Sequence, residues 1–517
     1  MIISERSKAI ALRLANPNRV FAAVPSAKEL VVKGHKFVVI PHEIENVATL
    51  RTLGIDAPSP ILHHYDWPGR FKPFDHQKET AAFLTVHKKC LVLNDLGTGK
   101  TMSALWAADY LMKQGLVKKV LIISPLSTLE RVWGDAIFTD FIARRYVVLH
   151  GDAKRRSKRL KADVDFYIVN HDGFSVIAPE AHGKFDLVIV DEAAVLRGAM
   201  TRRFKVFRAW MDKNPDTRLW LMTGTPTPNE PTDAWALARL VDSPYIPPFY
   251  THFRDQVMYK EGMHRWLPRP NAIETVRHVL QPSIRFARED CLDLPPTMIQ
   301  SRHVDLTPEQ KKHFEAMTKD LLVEMSSGET ITALNQAIKL QKLVQLACGV
   351  AYGDDGENIE VDCAPRVAAV REVIEQTDGK VIVFVPLTGT LRMLERELAK
   401  HWSVAVVNGA VSSSARNHIF HDFQNAKNPR VLIAHPATMA HGLTLTAATA
   451  IVWYGPITSN EQYVQANGRV ERPGKRGTST VVHIEATAVE RKIYKRLAAK
   501  QSLQGLLLEV LKDQDGG

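Results

Sequence analysis

The feature that most narrows the possible folds is a pattern that occurs twice: short apolar runs of strand length, separated by stretches with helical spacing. The first series is Cys90–Leu93, Lys119–Ser124, Tyr146–Leu149, Phe166–Val169, Leu187–Val190 and Leu219–Met222. The second is Lys380–Val385, Val404–Val407, Arg430–Ile433, Ala450–Tyr454 and Thr480–Ile484. Strands that alternate with helices predict parallel sheets. Such strands read as unbroken apolar runs because helices cover both sheet faces. Two series predict two sheets. The 517 residues accommodate them, since a single core rarely grows beyond roughly 250–300 residues.

Only the first series carries a phosphate-binding pattern. Residues 94–101 read Asn-Asp-Leu-Gly-Thr-Gly-Lys-Thr, directly after an apolar run and directly before the helical stretch Met102–Met112. Glycine lets a chain turn tightly and approach a ligand closely, so the backbone N–H groups of Leu96, Gly97, Thr98 and Gly99 can face a phosphate chain. Lys100 supplies a positive charge to the β- and γ-phosphates, and the Thr101 hydroxyl can ligate magnesium. The strict pattern asks for glycine where Asn94 stands.

A second buried-strand pattern, Phe185-Asp-Leu-Val-Ile-Val-Asp-Glu192, ends in two acids. Ligands of open parallel sheets sit at the carboxyl ends of the strands. Asp191 is therefore placed to hold magnesium, and Glu192 to polarise the water that attacks the γ-phosphate. A lone Asp-Glu at a strand end is more often a cap or a solvated pair. Beside the loop at 97–101 the two acids predict hydrolysis of a nucleoside triphosphate.

Composition excludes other classes. No apolar stretch approaches the ~20 residues that span a bilayer, and the N-terminus lacks the layout of a secretory signal. The four cysteines, at 90, 291, 348 and 363, make no Cys-x-x-Cys pair, and the 20 histidines show no metal-ligand spacing. A formal charge of +11 and a pI near 9.3 favour a polyanionic partner. The densest basic run is Lys154-Arg155-Arg156-Ser-Lys-Arg-Leu-Lys161, expected as a loop and a candidate for nucleic-acid backbone contact.

Three further segments break the α/β alternation. Residues 242–284 are rich in proline and aromatics, and from Glu309 to about Leu346 the apolar positions follow helical spacing. At the front, Leu30–Val32 and Phe37–Ile40 flank Lys33-Gly34-His35, a hairpin signal. Ile44, Val47, Leu50 and Leu53 then mark a helix closed by Gly54.

With these motifs in order, residues 67 to 505 resemble a Swi/Snf-type ATPase of helicase superfamily II in a compact form. The resemblance implies an α/β fold of two tandem RecA-like parallel-sheet lobes, with a helical protrusion between them and a small N-terminal α/β module. The expected boundaries are a module at 1–66, a first lobe at 67–295 with an insert at about 242–284, and a second lobe at 296–517 with the protrusion at about 305–350. Phe74-Asp-His-Gln77 resembles the adenine-reading segment. Ser124–Trp133 resembles motif Ia, implying backbone contacts from Ser127 and Arg131. Met222-Thr-Gly-Thr-Pro-Thr-Pro-Asn229 resembles motif III, and Arg285–Pro296 the stretch that joins the lobes. His441-Gly-Leu-Thr-Leu-Thr446 resembles motif V, implying Gly442 at the nucleotide and Thr444 at DNA. Gln465-Ala-Asn-Gly-Arg-Val-Glu-Arg472 resembles motif VI, implying a nucleotide contact from Gln465 and arginine fingers at Arg469 and Arg472. A spacing of three puts these arginines on one face of a helix; such fingers are worth about 10³–10⁵ in rate.

The sequence departs from the family pattern at three places. Ala194 stands where a histidine is common, Thr444 where asparagine is usual, and Gly455 where an aspartate often follows the strand. The expectation is an ATP- and magnesium-dependent translocase on duplex DNA, monomeric, in the cytoplasm or at the nucleoid. Residues 1–66 are expected to direct it to forked or branched DNA. Its rivals are a strand-separating DNA or RNA helicase and a non-hydrolysing DNA-binding scaffold.

Overall fold

The computed structural model describes residues 1–227, 230–261, 265–291, 297–326, 333–352, 358–439, 445–471 and 478–498. The chain divides into two compact units, Met1–Cys291 and Leu292–Gly517.

The first unit opens with a four-stranded antiparallel sheet: β1 (Ile2–Ser4), β2 (Ala9–Leu12), β3 (Lys28–Val32) and β4 (His35–Pro41), in the order β1-β2-β4-β3. The expected hairpin is β3–β4. Its turn residues Lys33 and Gly34 have φ of 48° and 77°, the left-handed pair that matches the twist of the flanking strands. The helix Ile44–Thr52 follows, and Gly54 at φ 82° reverses the chain. Ile10, Leu12, Val38 and Ile40 on one sheet face pack against Val20, Val24, Val47 and Leu50.

Next comes a seven-stranded sheet built from β5 (Lys89–Val92), β6 (Val120–Ser124), β7 (Tyr146–Val148), β8 (Phe166–Asn170), β9 (Leu187–Asp191) and β10 (Arg218–Met222), the six strands expected from the sequence. Alternation along each strand feeds two cores. Leu91, Leu121, Val188 and Leu221 face one layer of helices, whereas Cys90, Ile122, Ile189 and Trp220 face the other. Between β10 and the last strand the proline-rich region forms the helix Tyr250–Val257, the hairpin β11 (Met258–Glu261) and β12 (Arg265–Pro268), and the helix Ala272–Val279. Phe253, Val257 and Val279 anchor this insert in the lobe core. The seventh strand, β13 (Ser283–Ile284), is too short to have shown in the sequence; it pairs parallel with β5 at the sheet edge.

The second unit holds a six-stranded parallel sheet of β14 (Thr297–His303), β17 (Lys380–Phe384), β18 (Val404–Val407), β19 (Val431–Ala434), β20 (Ala448–Trp453) and β21 (Ser479–Glu485), ordered β14-β21-β20-β17-β19-β18. A small antiparallel pair, β15 (Val350–Tyr352) and β16 (Asn358–Glu360), forms a separate sheet between β14 and β17 in the chain. The helices Pro308–Ser326 and Ala333–Ala347 occupy the segment expected to protrude. Their base belongs to the lobe: Leu340, Leu343 and Val344 are buried in its core, and Phe314 and Met317 pack on it. Deep in this unit the Arg366 guanidinium makes two bonds to the Glu490 carboxylate, at 2.7 and 2.9 Å, with both side chains almost wholly buried. Glu490 also accepts the N–H groups of Ala486 and Thr487, which begins the helix Ala488–Ala498.

Candidate nucleotide-binding site

The loop after β5 runs into the helix Lys100–Lys113, whose buried face includes Ala104, Leu105, Ala107, Ala108 and Leu111. Gly97 and Gly99 have φ of 85° and 81°, a conformation that costs an L-residue about 1–2 kcal/mol. A side chain at Gly99 would also displace Gln77, because an added Cβ would lie 2.0 Å from its Nε2. Gln77 bridges two backbones: its Oε1 accepts the Phe74 N–H at 3.0 Å, and its Nε2 donates to the Thr98 carbonyl at 3.2 Å. The His76 ring donates to the same carbonyl at 2.9 Å. The residue expected to read adenine thus also fixes the phosphate loop.

Asn94, the departure from the glycine pattern, has a structural task. Its buried amide donates to Thr80 Oγ1 at 2.8 Å and accepts the Phe286 N–H at 3.0 Å. The neighbouring Asp95 donates its N–H to Phe286 O and accepts the Arg288 N–H at 3.2 Å. The start of the segment expected to join the lobes therefore clasps the phosphate loop. Gly224 backs onto the same loop, since an added Cβ would stand 3.4 Å from Asn94 O and from Leu96 N.

Lys100 donates from Nζ to the carbonyls of Asn94 and Asp95, at 2.8 and 3.0 Å. Asp191 ends β9, beside β10 and β6. Its Oδ2 accepts the indole N–H of Trp133 at 3.1 Å, and its Oδ1 accepts the Glu192 N–H at 3.1 Å. Burial pushes the Asp191 carboxyl above the usual carboxylate range, and the Lys100 ammonium, Trp133, His171 and the Glu192 N–H pull against that shift. Glu192 sits at φ 51°, ψ 50°, a left-handed backbone in a non-glycine residue. Such strain collects at functional sites, where surrounding structure enforces it.

This donor set fits a magnesium nucleotide. The glycine turn presents backbone N–H groups, and the lysine sits on neutral carbonyls that a phosphate oxygen can replace. A buried carboxyl returns to its ionised form beside a cation. Among the described residues no group of three His, Cys, Asp or Glu side chains could hold a metal. Magnesium takes one or two protein ligands and completes its shell with phosphates and water. Thr101 and Asp191 are the candidates here.

Trp133 escaped the sequence reading as a site residue. Its position, nine residues beyond the end of β6, gave no hint that it would reach β9. Ser127 and Arg131, on the turns between them, are exposed as a backbone contact requires. The basic run corrects an expectation: it is not a loop but the helix Ala153–Leu160, capped by Asp152, which accepts the Arg155 N–H at 2.8 Å. Nor are its charges alike. Lys154 and Arg155 are exposed, whereas Arg156 turns inward and donates to the carbonyls of Gly151 and Leu149 and to Asn170 Oδ1.

In the second unit Gln465 is buried on the helix Asn460–Asn467, with Nε2 at 3.2 Å from Glu461 Oε1. The helix stops at Asn467, so Arg469 lies beyond its end. Arg469 is buried, its Nε donates to Met439 O at 2.8 Å, and its own carbonyl accepts the Leu445 N–H. In this structure it braces both ends of the motif V segment. Arg472, Gly442 and Thr444 lie outside the described residues. Gly455 also gains a reason, because an added Cβ would meet Cys348 Sγ at 2.5 Å. Ala194, at the position where a histidine is common, is buried.

A phosphate loop and an acid-tipped strand in one RecA-like sheet, followed along the chain by a second parallel sheet, define a helicase-like ATPase. A model of the SNF2-related domain matches residues 76–350, and one of the helicase conserved C-terminal domain matches residues 365–474. The chain belongs to the SNF2-related family. It is 26% identical to putative protein p41 of Acyrthosiphon pisum secondary endosymbiont phage 1, over 86% of this chain and 99% of that one. It is 22% identical to the ATP-dependent DNA helicase DDM1 of Arabidopsis thaliana, over 81% of this chain and 59% of that one. With the DNA repair and recombination protein RAD54-like of Danio rerio it shares 23% identity, over 82% of this chain and 64% of that one. The chain thus spans less than two thirds of the latter two relatives. No described helix is long and apolar enough to cross a membrane.

Proposed function

We propose that this chain is a magnesium-dependent ATPase that translocates on double-stranded DNA and remodels forked or branched DNA in replication, recombination or repair. The observation that carries the reading is the intact set of Lys100, Asp191 and Glu192 around one glycine-built loop. A scaffold without turnover would have no need to hold Glu192 in a left-handed backbone. Lys100 exchanges its loop carbonyls for phosphate oxygens, and Glu192 orients the attacking water. Magnesium, when bound, neutralises charge on the phosphates. Arg472 is the proposed arginine finger, while Arg469 keeps the bracing role that its burial gives it. DNA as the partner is supported by the printed descriptions of two relatives and by the net charge of +11. Residues 1–66 are proposed to sense DNA structure, and the chain is proposed to act as a monomer.

The test is ATPase rate on single-stranded, blunt duplex, forked and four-way junction DNA, alongside triplex displacement on blunt duplex. Duplex stimulation, a further rise on branched DNA, triplex displacement and complete loss in Lys100→Ala are expected. Fork unwinding without triplex displacement would instead identify a strand-separating helicase. Absence of any DNA stimulation, together with no loss in Lys100→Ala, would identify a scaffold.

A further inference from the structure

An antiparallel sheet in a small module commonly packs one face on its core and turns polar residues outward on the other. The N-terminal sheet departs from that rule. Directly paired residues share a sheet face, and the register pairs Ile2 with Ala11, Ala11 with Val39, Leu30 with Phe37 and Val32 with His35. The face opposite the core therefore carries Ile2, Ala11, Val39, Phe37, Leu30 and Val32 across all four strands. None of the six belongs to the buried core of the module. Ile2, Leu30 and Val32 are 60%, 49% and 45% exposed. An open apolar face of this kind marks an interaction surface.

The charges around it select the occupant. Lys28, opposite Val39, and His35 stand on the same face, and Lys33 sits in the adjoining turn. The strand residues of this face include no carboxylate. Glu29, the acid of β3, faces the core side and pairs with Lys36 at 3.1 Å. Lys28 and Lys33 make no ion pair among the described residues. A platform of apolar and aromatic side chains takes the face of a base, and lysines at its margin take backbone phosphates. Bases in duplex DNA are stacked and paired, so only unpaired nucleotides can use such a platform.

We infer that the outer face of the β1-β2-β4-β3 sheet binds an unpaired DNA strand, of the kind exposed at a fork or branch. This deepens the DNA reading above and rests on it. A protein partner is the weaker fit, because it would leave the lysines without a counter-charge.

The test uses the full chain. Oligo(dT) carrying 5-iododeoxyuridine is photo-crosslinked, and the crosslinked peptide is mapped by mass spectrometry. Affinity for a fork with a single-stranded arm is measured against blunt duplex, for wild type, Leu30→Ser/Phe37→Ser, Lys28→Glu and Phe37→Tyr. Crosslinks within residues 28–39 are expected, with about tenfold loss of fork affinity in the serine variant, the effect of exposing one or two apolar side chains. Lys28→Glu should weaken binding and flatten its salt dependence. Phe37→Tyr should retain binding, and ATPase on blunt duplex should stay at the wild-type level in every variant. Unaltered fork affinity, or crosslinks confined to other segments, would overturn the inference. So would a wild-type dimer that the serine variant converts to monomer with strand binding unchanged, because the face would then belong to a second copy. Should blunt duplex fail to stimulate the wild-type ATPase while the crosslinks still map to 28–39, the translocase reading falls and this one stands.

Discussion

Trp133 donates its indole proton to Oδ2 of Asp191 across 3.1 Å, tying the turn after β6 to the acid at the end of β9. The bond favours the ionised carboxylate, which burial otherwise disfavours. Trp133→Phe keeps most of the ring and deletes the N–H. The Asp191 carboxyl should then rise further, so the acid limb of the ATPase pH profile should move to higher pH. A hydrogen bond to a charged group is worth about 1.5–3 kcal/mol, so magnesium affinity should fall by roughly one order of magnitude. An unmoved acid limb, measured by steady-state turnover from pH 5 to 8, would mean that the indole only fills space.

Placing at position 94 the glycine of the strict phosphate-loop pattern should harm this protein. Asn94→Gly leaves Thr80 Oγ1 and the Phe286 N–H without their buried partner. Leaving buried polar groups unpaired costs about 1–3 kcal/mol. Thermal unfolding should show lower stability, and the ATP dissociation constant should increase as the loop loses its clasp. Equal or higher stability in the variant would refute this account of the departure.

The basic helix should split into two behaviours. Lys154→Ala/Arg155→Ala removes exposed charges and should lower the slope of log K against log salt by up to about two phosphate contacts, with little change in thermal stability. Arg156→Ala removes three inward bonds and should destabilise the fold. Comparison of salt titrations and melting curves separates the two. Identical salt slopes for wild type and the double variant would return the helix to a solvated surface.

In the second unit, Glu490→Ala strands the Arg366 guanidinium in a buried environment. Breaking a buried pair from one side costs about 3–5 kcal/mol. Calorimetry should show one unfolding transition lowered and nucleotide affinity at Lys100 retained, since that site lies in the first unit. Replacing both partners with apolar residues should recover much of the loss.

Eleven strands across the two series were legible because each is an apolar run covered on both faces or nearly so. β13 was not legible, because two residues carry no period. β14 was missed because its side chains are mostly exposed along a sheet edge. At the site the glycines, Lys100, Asp191 and Glu192 announced themselves, since their chemistry requires those residue types at adjacent positions. Trp133, Thr80 and Phe286 did not, because they reach the site through tertiary packing that no local spacing encodes. Arg469 shows where spacing alone says less than the local backbone. Its spacing to Arg472 suggested a helix face, yet the helix ends two residues earlier and the guanidinium turns to a backbone carbonyl.

The raised Asp191 carboxyl makes stability and activity pull in opposite directions. Below the ordinary carboxylate range both folded and unfolded chains carry the proton, and the residue contributes nothing to pH dependence. As pH rises past the unfolded value, the unfolded chain releases its proton while the native chain keeps it. The native state then binds more protons, so stability falls with pH until the native carboxyl also ionises. At neutral pH the buried Asp191 carboxyl therefore imposes a stability cost on the nucleotide-free protein. Asp191→Asn removes it, so the variant should melt at a higher temperature than wild type at pH 7.5, and the gap should close as pH falls toward 4. ATP turnover should disappear in the variant. Magnesium with a non-hydrolysable ATP analogue should reverse the order of melting, because ligand binding stabilises only the protein that retains the carboxylate. A variant that melts below wild type at every pH without ligand would show that Asp191 serves the fold before it serves the metal.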